Sequence, residues 1–354
     1  MSTTRRQRHH TVPRFHLRKF ASPQDRLVQL DVTTGKRREV SVTDAAVIRD
    51  FYTITLPDGT RSDAWETWLG DLENEIAPAV RRAIDATPFA LRDVDRQRLA
   101  LWIAMQYLRG PDNRQQLSAI AAVTVRMQVG MGGLAYLRHA MSEGLDRAVP
   151  RWEAERVWSG ITSQAGPQIT ITGDEHLAIL NQAVGRVAFM IAGRSWGRIR
   201  FQRHRLAISD APVYLVRGDT PDYLGVGLGN APAITLPLDR HTLLWLTLPT
   251  ADGTLVDRDL KPATALAHAH NAASVLGAER FVYFHPDDGS IPLRATLPRG
   301  PVQRLQVSGA ADFSNRDRPL SDVLDRIATH TDPTGASLIA NYTWPIPGYT
   351  PPGT

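Results

Sequence analysis

Two periodicities divide this chain, and they do not interleave. Apolar residues recur at steps of three and four across residues 61–193, whereas short alternating runs separated by turn residues fill 194–300. A doubly wound sheet needs strands and helices in regular alternation. Segregation of the two patterns predicts α+β: a helical middle region packed on a largely antiparallel sheet, with the N-terminal segment anchored to the core. In the helical region, Trp65, Trp68, Leu69, Leu72, Ile76 and Val80 mark a helix from Ala64, capped by Asp63 and kinked at Pro78. Leu99 to Leu108 is apolar on almost every face and must be buried, with Gly110 as its C-terminal cap and Pro111 blocking continuation. A further helix covers Asn113 to about Met127, is interrupted at Gly130, Gly132 and Gly133, and resumes to about Ser142. Leu177, Leu180, Val184, Val187 and Ile191 form one apolar stripe behind a cap at Thr172 or Asp174.

The β-like runs are Arg198–Phe201, Leu206–Ile208, Val213–Val216, Ala233–Leu236 and Leu243–Leu248, followed by a helix from Pro262 to Gly277 and a strand at Phe281–Phe284. Residues 1–60 hold two hairpins. One joins Arg26–Val32 to Val40–Val42 through Thr33-Thr34-Gly35-Lys36; the other spans Tyr52–Leu56 and turns at Pro57-Asp58-Gly59. Residues 301–354 form a C-terminal extension, with a short helix at Ser321–Thr329 and a loose Pro/Gly-rich end from Pro345. The whole, residues 1–354, is expected to be one unit, long enough to bury a sizeable core.

The chain has no cysteine, which excludes disulfides, a thiolate nucleophile and Cys-ligated zinc. A divalent metal is a cofactor the composition allows, held by His, Asp or Glu. No uninterrupted apolar run reaches the ~18 residues of a membrane span, and Met1 to His10 is polar and basic. A cytoplasmic protein with no membrane partner is therefore expected. Net charge is +5, and all but three of the 41 basic side chains are arginine. Two stretches carry arginine with no acid: residues 1–20 (Arg5, Arg6, Arg8, Arg14, Arg18, with Lys19) and 194–205 (Arg194, Arg198, Arg200, Arg203, Arg205). Such stripes attract polyanions, nucleic acid among them, although a solvated face gives the same pattern.

Three strings carry candidate chemistry. The first is His9-His10-Thr11-Val12-Pro13-Arg14-Phe15-His16-Leu17-Arg18-Lys19-Phe20, in which Phe15, Leu17 and Phe20 can anchor the chain and present His9, His10 and Arg18 at fixed positions. Imidazole moves protons or binds metal, and guanidinium holds phosphate oxygens. The second is Ser209-Asp210-Ala211-Pro212, where Asp210 is either a turn former or a general base and metal ligand. The third is Gln106 and Arg109 on the apolar helix. A buried guanidinium needs an acid, and Glu66, Glu73, Glu75 and Asp210 are the candidates. Walker, Rossmann, HExxH and nucleophile-elbow signatures are absent.

Together these strings resemble the domain-of-unknown-function family 4238. Its members open with a His-(His/Tyr)-x-Pro-x-Phe-x-Leu-x-x-Phe string, matched by His9 to Phe20. An Asn-Phe-Tyr-like element is matched by Asp50-Phe51-Tyr52, with Asp in place of Asn. Leu108-Arg109-Gly110-Pro111 is similar to the close of the family's buried helix. Ser209-Asp210-Ala211-Pro212 is similar to its Ser-Asp-x-Pro element. The resemblance implies a shared architecture over residues 9–285 and draws attention to His10, Arg18, Glu73, Arg109 and Asp210, without implying a reaction.

The functional expectation is an enzyme acting on a phosphate-containing substrate such as nucleic acid, hydrolase or nuclease-like. His10 would be the acid/base, Asp210 and Glu73 carboxylate partners or metal ligands, and Arg18, Arg109 and His9 the substrate-binding groups. The alternative is a non-catalytic binding or regulatory module in which these polar residues form a structural network.

Overall fold

Gln106 and Arg109 apart, the segment Leu99–Arg109 offers water almost nothing, and the architecture is built around it. The computed structural model describes residues 8–55, 60–62, 64–163, 166–218 and 226–288. Among them the chain divides into two compact units, residues 8–114 with 172–288, and residues 115–171.

In the first unit, α1 (Arg14–Leu17), α2 (Ala64–Asp85), α3 (Asp93–Leu108), α6 (Gly173–Ala192) and α7 (Thr264–Gly277) accompany two larger sheets. The five-stranded sheet contains β7 (Ser195–Arg200), β9 (Tyr214–Val216), β10 (Ala233–Pro237), β11 (Thr242–Thr247) and β12 (Arg258–Leu260), in the order β12-β7-β11-β10-β9. The four-stranded sheet contains β2 (Arg26–Asp31), β3 (Arg37–Ser41), β8 (Ile208–Ser209) and β13 (Phe281–Phe284), in the order β3-β2-β13-β8. Two small pairs complete it: β1 (Arg8–His10) with β4 (Val47–Arg49), and β5 (Ile54–Thr55) with β6 (Arg61–Ser62). Every pairing is antiparallel except β12 with β7. The architecture is α+β, as the segregated periodicities predict.

Trp102, Ile103 and Ala104 of α3 join Ile76 and Val80 of α2 and Trp196, Ile234 and Leu244 of the larger sheet in one core. The N-terminal string is locked in by a second core, where Val12, Leu17 and Phe20 are fully buried with Ile199, Phe201, Leu206 and Tyr283. Each such side chain contributes about 1.5–3 kcal/mol by leaving water.

Several local expectations change. The β-like runs do not make one sheet, because β8 pairs with β13 beside the N-terminal hairpin. α2 runs on through Pro78, which lies on its exposed face, where its missing N–H orphans a carbonyl that water can reach. Pro111 opens the next helix rather than blocking one, since a first-turn residue needs no N–H donor. Thr172 caps α6 in a reciprocal box with Glu175. Asp63, the turn at 57–59, Arg5, Arg6 and everything proposed for 301–354 lie outside the described residues.

The second unit is helical. The helix α4 (Pro111–Gly144) supplies most of it and α5 (Arg151–Thr162) the rest, with Val129, Leu134, Leu137, Val149, Ala154 and Trp158 as its core. At Gly133 (φ 72°, ψ −179°) the helical backbone breaks, in a conformation that a Cβ would strain. Gly130 and Gly132 leave it helical. By length and composition α4 also meets the criterion for crossing a membrane, its best 18-residue window having a mean hydropathy of 1.3. Gln, Thr and Arg126 interrupt any continuous apolar run there, so a test on unbroken runs passes over it.

Candidate functional site

The paired histidines part company because strand side chains alternate. In β1, His9 turns into the core, where the Tyr52 N–H donates to Nδ1 at 2.7 Å and the two rings stack 5.7 Å apart. His10, opposite Val47, is only half-buried. Its Nε2–H donates to the Thr43 carbonyl at 3.2 Å. A carbonyl only accepts, so the neutral ring keeps its lone pair on Nδ1, and among the described residues no side chain or backbone N–H claims it. Burial, together with the guanidiniums of Arg14, Arg8 and Arg109, pulls this imidazole down to about 4.

Arg14 sits at the start of α1, exposed, with no hydrogen bond or ion pair among the described residues, within electrostatic reach of His10 and Glu73. The other cations around His10 are spoken for. Arg8 pairs with Asp44 at 2.5 Å. Arg109 closes α3, 1% exposed, and its Nη1 donates to Glu73 Oε1 at 3.2 Å. With the Gln106 amide oxygen turned toward it, Arg109 also donates from Nε (3.0 Å) and Nη2 (2.5 Å) to that oxygen. Burial raises the Glu73 carboxyl, against the lowering pull of Arg109 and Arg14. The partner of Arg109 is thus Glu73.

Behind this cluster lie polar atoms without partners. His16 donates Nε2–H to the Pro237 carbonyl at 2.7 Å, but its fully buried Nδ1 accepts nothing. The buried Tyr52 hydroxyl, near Arg109 and Glu73, is likewise unpaired. Trp102, whose Nε1–H is also unsatisfied, packs edge-on to His16 at 4.8 Å.

Two residues from the sequence reading stand elsewhere. Arg18 is exposed and paired with Asp25 at 3.1 Å, turned away by the next step of the α1 spiral. Asp210 is buried, and its carboxylate accepts from the backbone N–H groups of Glu279 (2.8 Å), Arg280 (2.9 Å) and Phe281 (2.8 Å). Burial pushes its carboxyl up to about 7 against those donors. It clasps the approach to β13 and makes no hydrogen bond or ion pair with His10, Arg109 or Glu73. The expected grouping of His10 with Asp210 is not seen: the aspartate's three hydrogen bonds all come from the backbone of residues 279–281. Arg109 pairs with Glu73 and acts on His10 electrostatically.

Sequence reasoning passed over Arg14, Arg114 and His176. Arg114 donates Nε to His176 Nδ1 (3.1 Å) and Nη2 to the Phe51 carbonyl (3.0 Å), while His176 Nε2–H donates to the Leu108 carbonyl (2.9 Å). This brace ties the end of α3 to the Phe51-Tyr52 segment and α6. Spacing alone does not reveal it, because its members are 51 to 176 in sequence. Among the described residues no group of three or more His, Asp or Glu side chains is placed to hold a metal ion.

An α+β scaffold with an N-terminal histidine–arginine string built into its core, and one imidazole of that string left facing outward among guanidiniums, defines the class of protein. The chain belongs to the family described as protein of unknown function DUF4238, whose model matches residues 8–288, most of its length. No curated protein and no solved structure matches it.

Proposed function

We propose that this protein is an enzyme acting on a phosphate-containing substrate, nucleic acid being the substrate class that best suits its charge. The observation that supports this most is the state of His10: a neutral, half-buried imidazole with a free Nδ1 lone pair among three guanidiniums, only two of which are neutralised by acids. A phosphate oxygen beside Arg14 would supply the missing negative charge. It would also raise the His10 imidazole from about 4 toward the range where it accepts a proton effectively. Substrate binding and activation of the base are one electrostatic event in this reading. His10 takes the proton at Nδ1, Arg14 orients the anion, and the Glu73–Arg109 pair supplies a fixed field behind them. No metal is assigned to these residues.

A second reading has its own support. His9, Arg18, Arg109 and Asp210 are all engaged by partners inside the fold, as in a structural network, which would leave His10 and Arg14 as an anion-binding element without chemistry.

An assay of the purified full-length chain against phosphate monoesters, diesters and single-stranded RNA and DNA separates the two. The catalytic reading expects hydrolysis of at least one substrate, falling by roughly 100-fold or more in His10→Asn. Hydrolysis that survives this substitution, or none with any substrate, removes the catalytic reading.

A further inference from the structure

The stripe at 194–205 does not survive folding as a stripe. Arg194 is buried, donating to the carbonyls of Ala231 and Leu228; Arg198 is buried against Asp259 at 2.7 Å. What remains outside is shorter, and a second segment joins it. β12 runs parallel to β7 with Leu260 opposite Ile199, and Lys261 follows it directly. The loop after β7 then carries His204 against α7, where its Nε2 lies 2.9 Å from the Thr264 hydroxyl. The His204 and His268 rings meet edge-to-face at 5.5 Å. His204 and His268 therefore meet at the start of α7, with the exposed Arg203 and Lys261 close to them in the chain, while Arg200 reaches instead toward the end of α2.

This surface has no acid of its own. Residues 197–209 and 260–278 contain no Asp or Glu. The nearest carboxylates are largely committed: Asp259 to Arg198, Asp288 to Arg240 with Arg205 at 3.8 Å, and exposed Asp85 lies within reach of Arg198. Arg200 donates to the carbonyls of Ile84 and Ala86, which flank Asp85. Arg203 and Lys261 are exposed and have no acid partner among the described residues. Nor does the surface present apolar bulk: no large hydrophobic side chain of 200–206 or 260–270 is among the exposed ones. A membrane-binding face couples cations to such side chains. Cations interleaved with flat rings are instead what a single strand of nucleic acid requires.

We propose that the Arg200–Arg205 loop and the start of α7 form a docking surface for single-stranded nucleic acid. Arg203 and Lys261 take phosphates, and the His204–His268 pair presents ring faces to unstacked bases. This does not rest on the His10 reading, and either can fail alone.

The test is fluorescence anisotropy of the full chain with labelled 20-mers of single-stranded RNA and DNA across a salt series. Arg203→Gln/Lys261→Gln is expected to weaken binding roughly tenfold at low salt. It should also flatten the log–log salt slope by about 0.7 per lost phosphate contact. His204→Ala/His268→Ala should weaken binding with the slope unchanged. A control at Arg26, whose charge Glu39 holds, should leave the Kd unchanged. The proposal is overturned by absence of binding at low salt, by binding indifferent to Arg203 and Lys261, by tighter binding of duplex, or by capture on anionic lipid vesicles without oligonucleotide binding.

Discussion

One imidazole is buried and its neighbour faces outward because adjacent side chains on a strand face opposite ways. His9 and His10 are identical in composition and differ only in the side of β1 they occupy. Neither the strand nor its inward side was read from the sequence, since the one depends on pairing with Val47–Arg49 and the other on Tyr52, 43 residues away. The same applies to Arg14. It stands inside the quoted string, yet nothing local distinguishes it from Arg18, which folding pairs with Asp25. His16 offers a direct check on the electrostatics of this region. Burial holds its imidazole down at about 4, so between there and the ordinary 6.5 the unfolded chain binds a proton that the fold refuses. Stability from this group is therefore complete above about 6.5 and is lost as pH falls toward 4. In His16→Gln, whose amide can still donate to the Pro237 carbonyl, the stability deficit relative to the parent should be constant above pH 6.5 and shrink below it. Chemical denaturation at a series of pH values measures this; a deficit that grows on acidification would contradict it.

Elements were more legible than their assembly. The apolar run that became α3, the capped stripe that became α6, and the first hairpin follow from period and turn chemistry, because those signals are local. Sheet membership was not legible, since β8 and β13 are separated by more than seventy residues and joined by a register no local pattern encodes. Asp210 shows why its chemistry was misread. An aspartate at a strand end before proline fits a turn or a site equally well, and the three N–H groups that decide the matter arrive from residues 279–281. Asp210→Ala would leave those donors buried and unpaired at about 1–3 kcal/mol each. A loss of roughly 3 kcal/mol or more, with little change in denaturant m-value, is expected in urea unfolding. A near-neutral substitution would mean that the clasp carries little of the joint between β8 and β13.

At the scale of the whole molecule, net charge predicted a polyanion partner more simply than the fold delivers it. Folding buries Arg194, Arg198 and Arg109, binds Arg8 and Arg18 to acids, and leaves small groups of free cations in particular places. Arginine count therefore overstates the available charge, while position decides where an anion can bind. The account turns on one of those places, the outward face of His10 beside Arg14. Its most direct test is NMR titration of the His10 ring in the full-length chain, with and without inorganic phosphate. The predicted result is an imidazole titrating near 4 in the free protein that moves up by about one unit or more with phosphate, a response lost in Arg14→Gln. An imidazole that titrates at its ordinary value, or that phosphate leaves unmoved, would contradict the account.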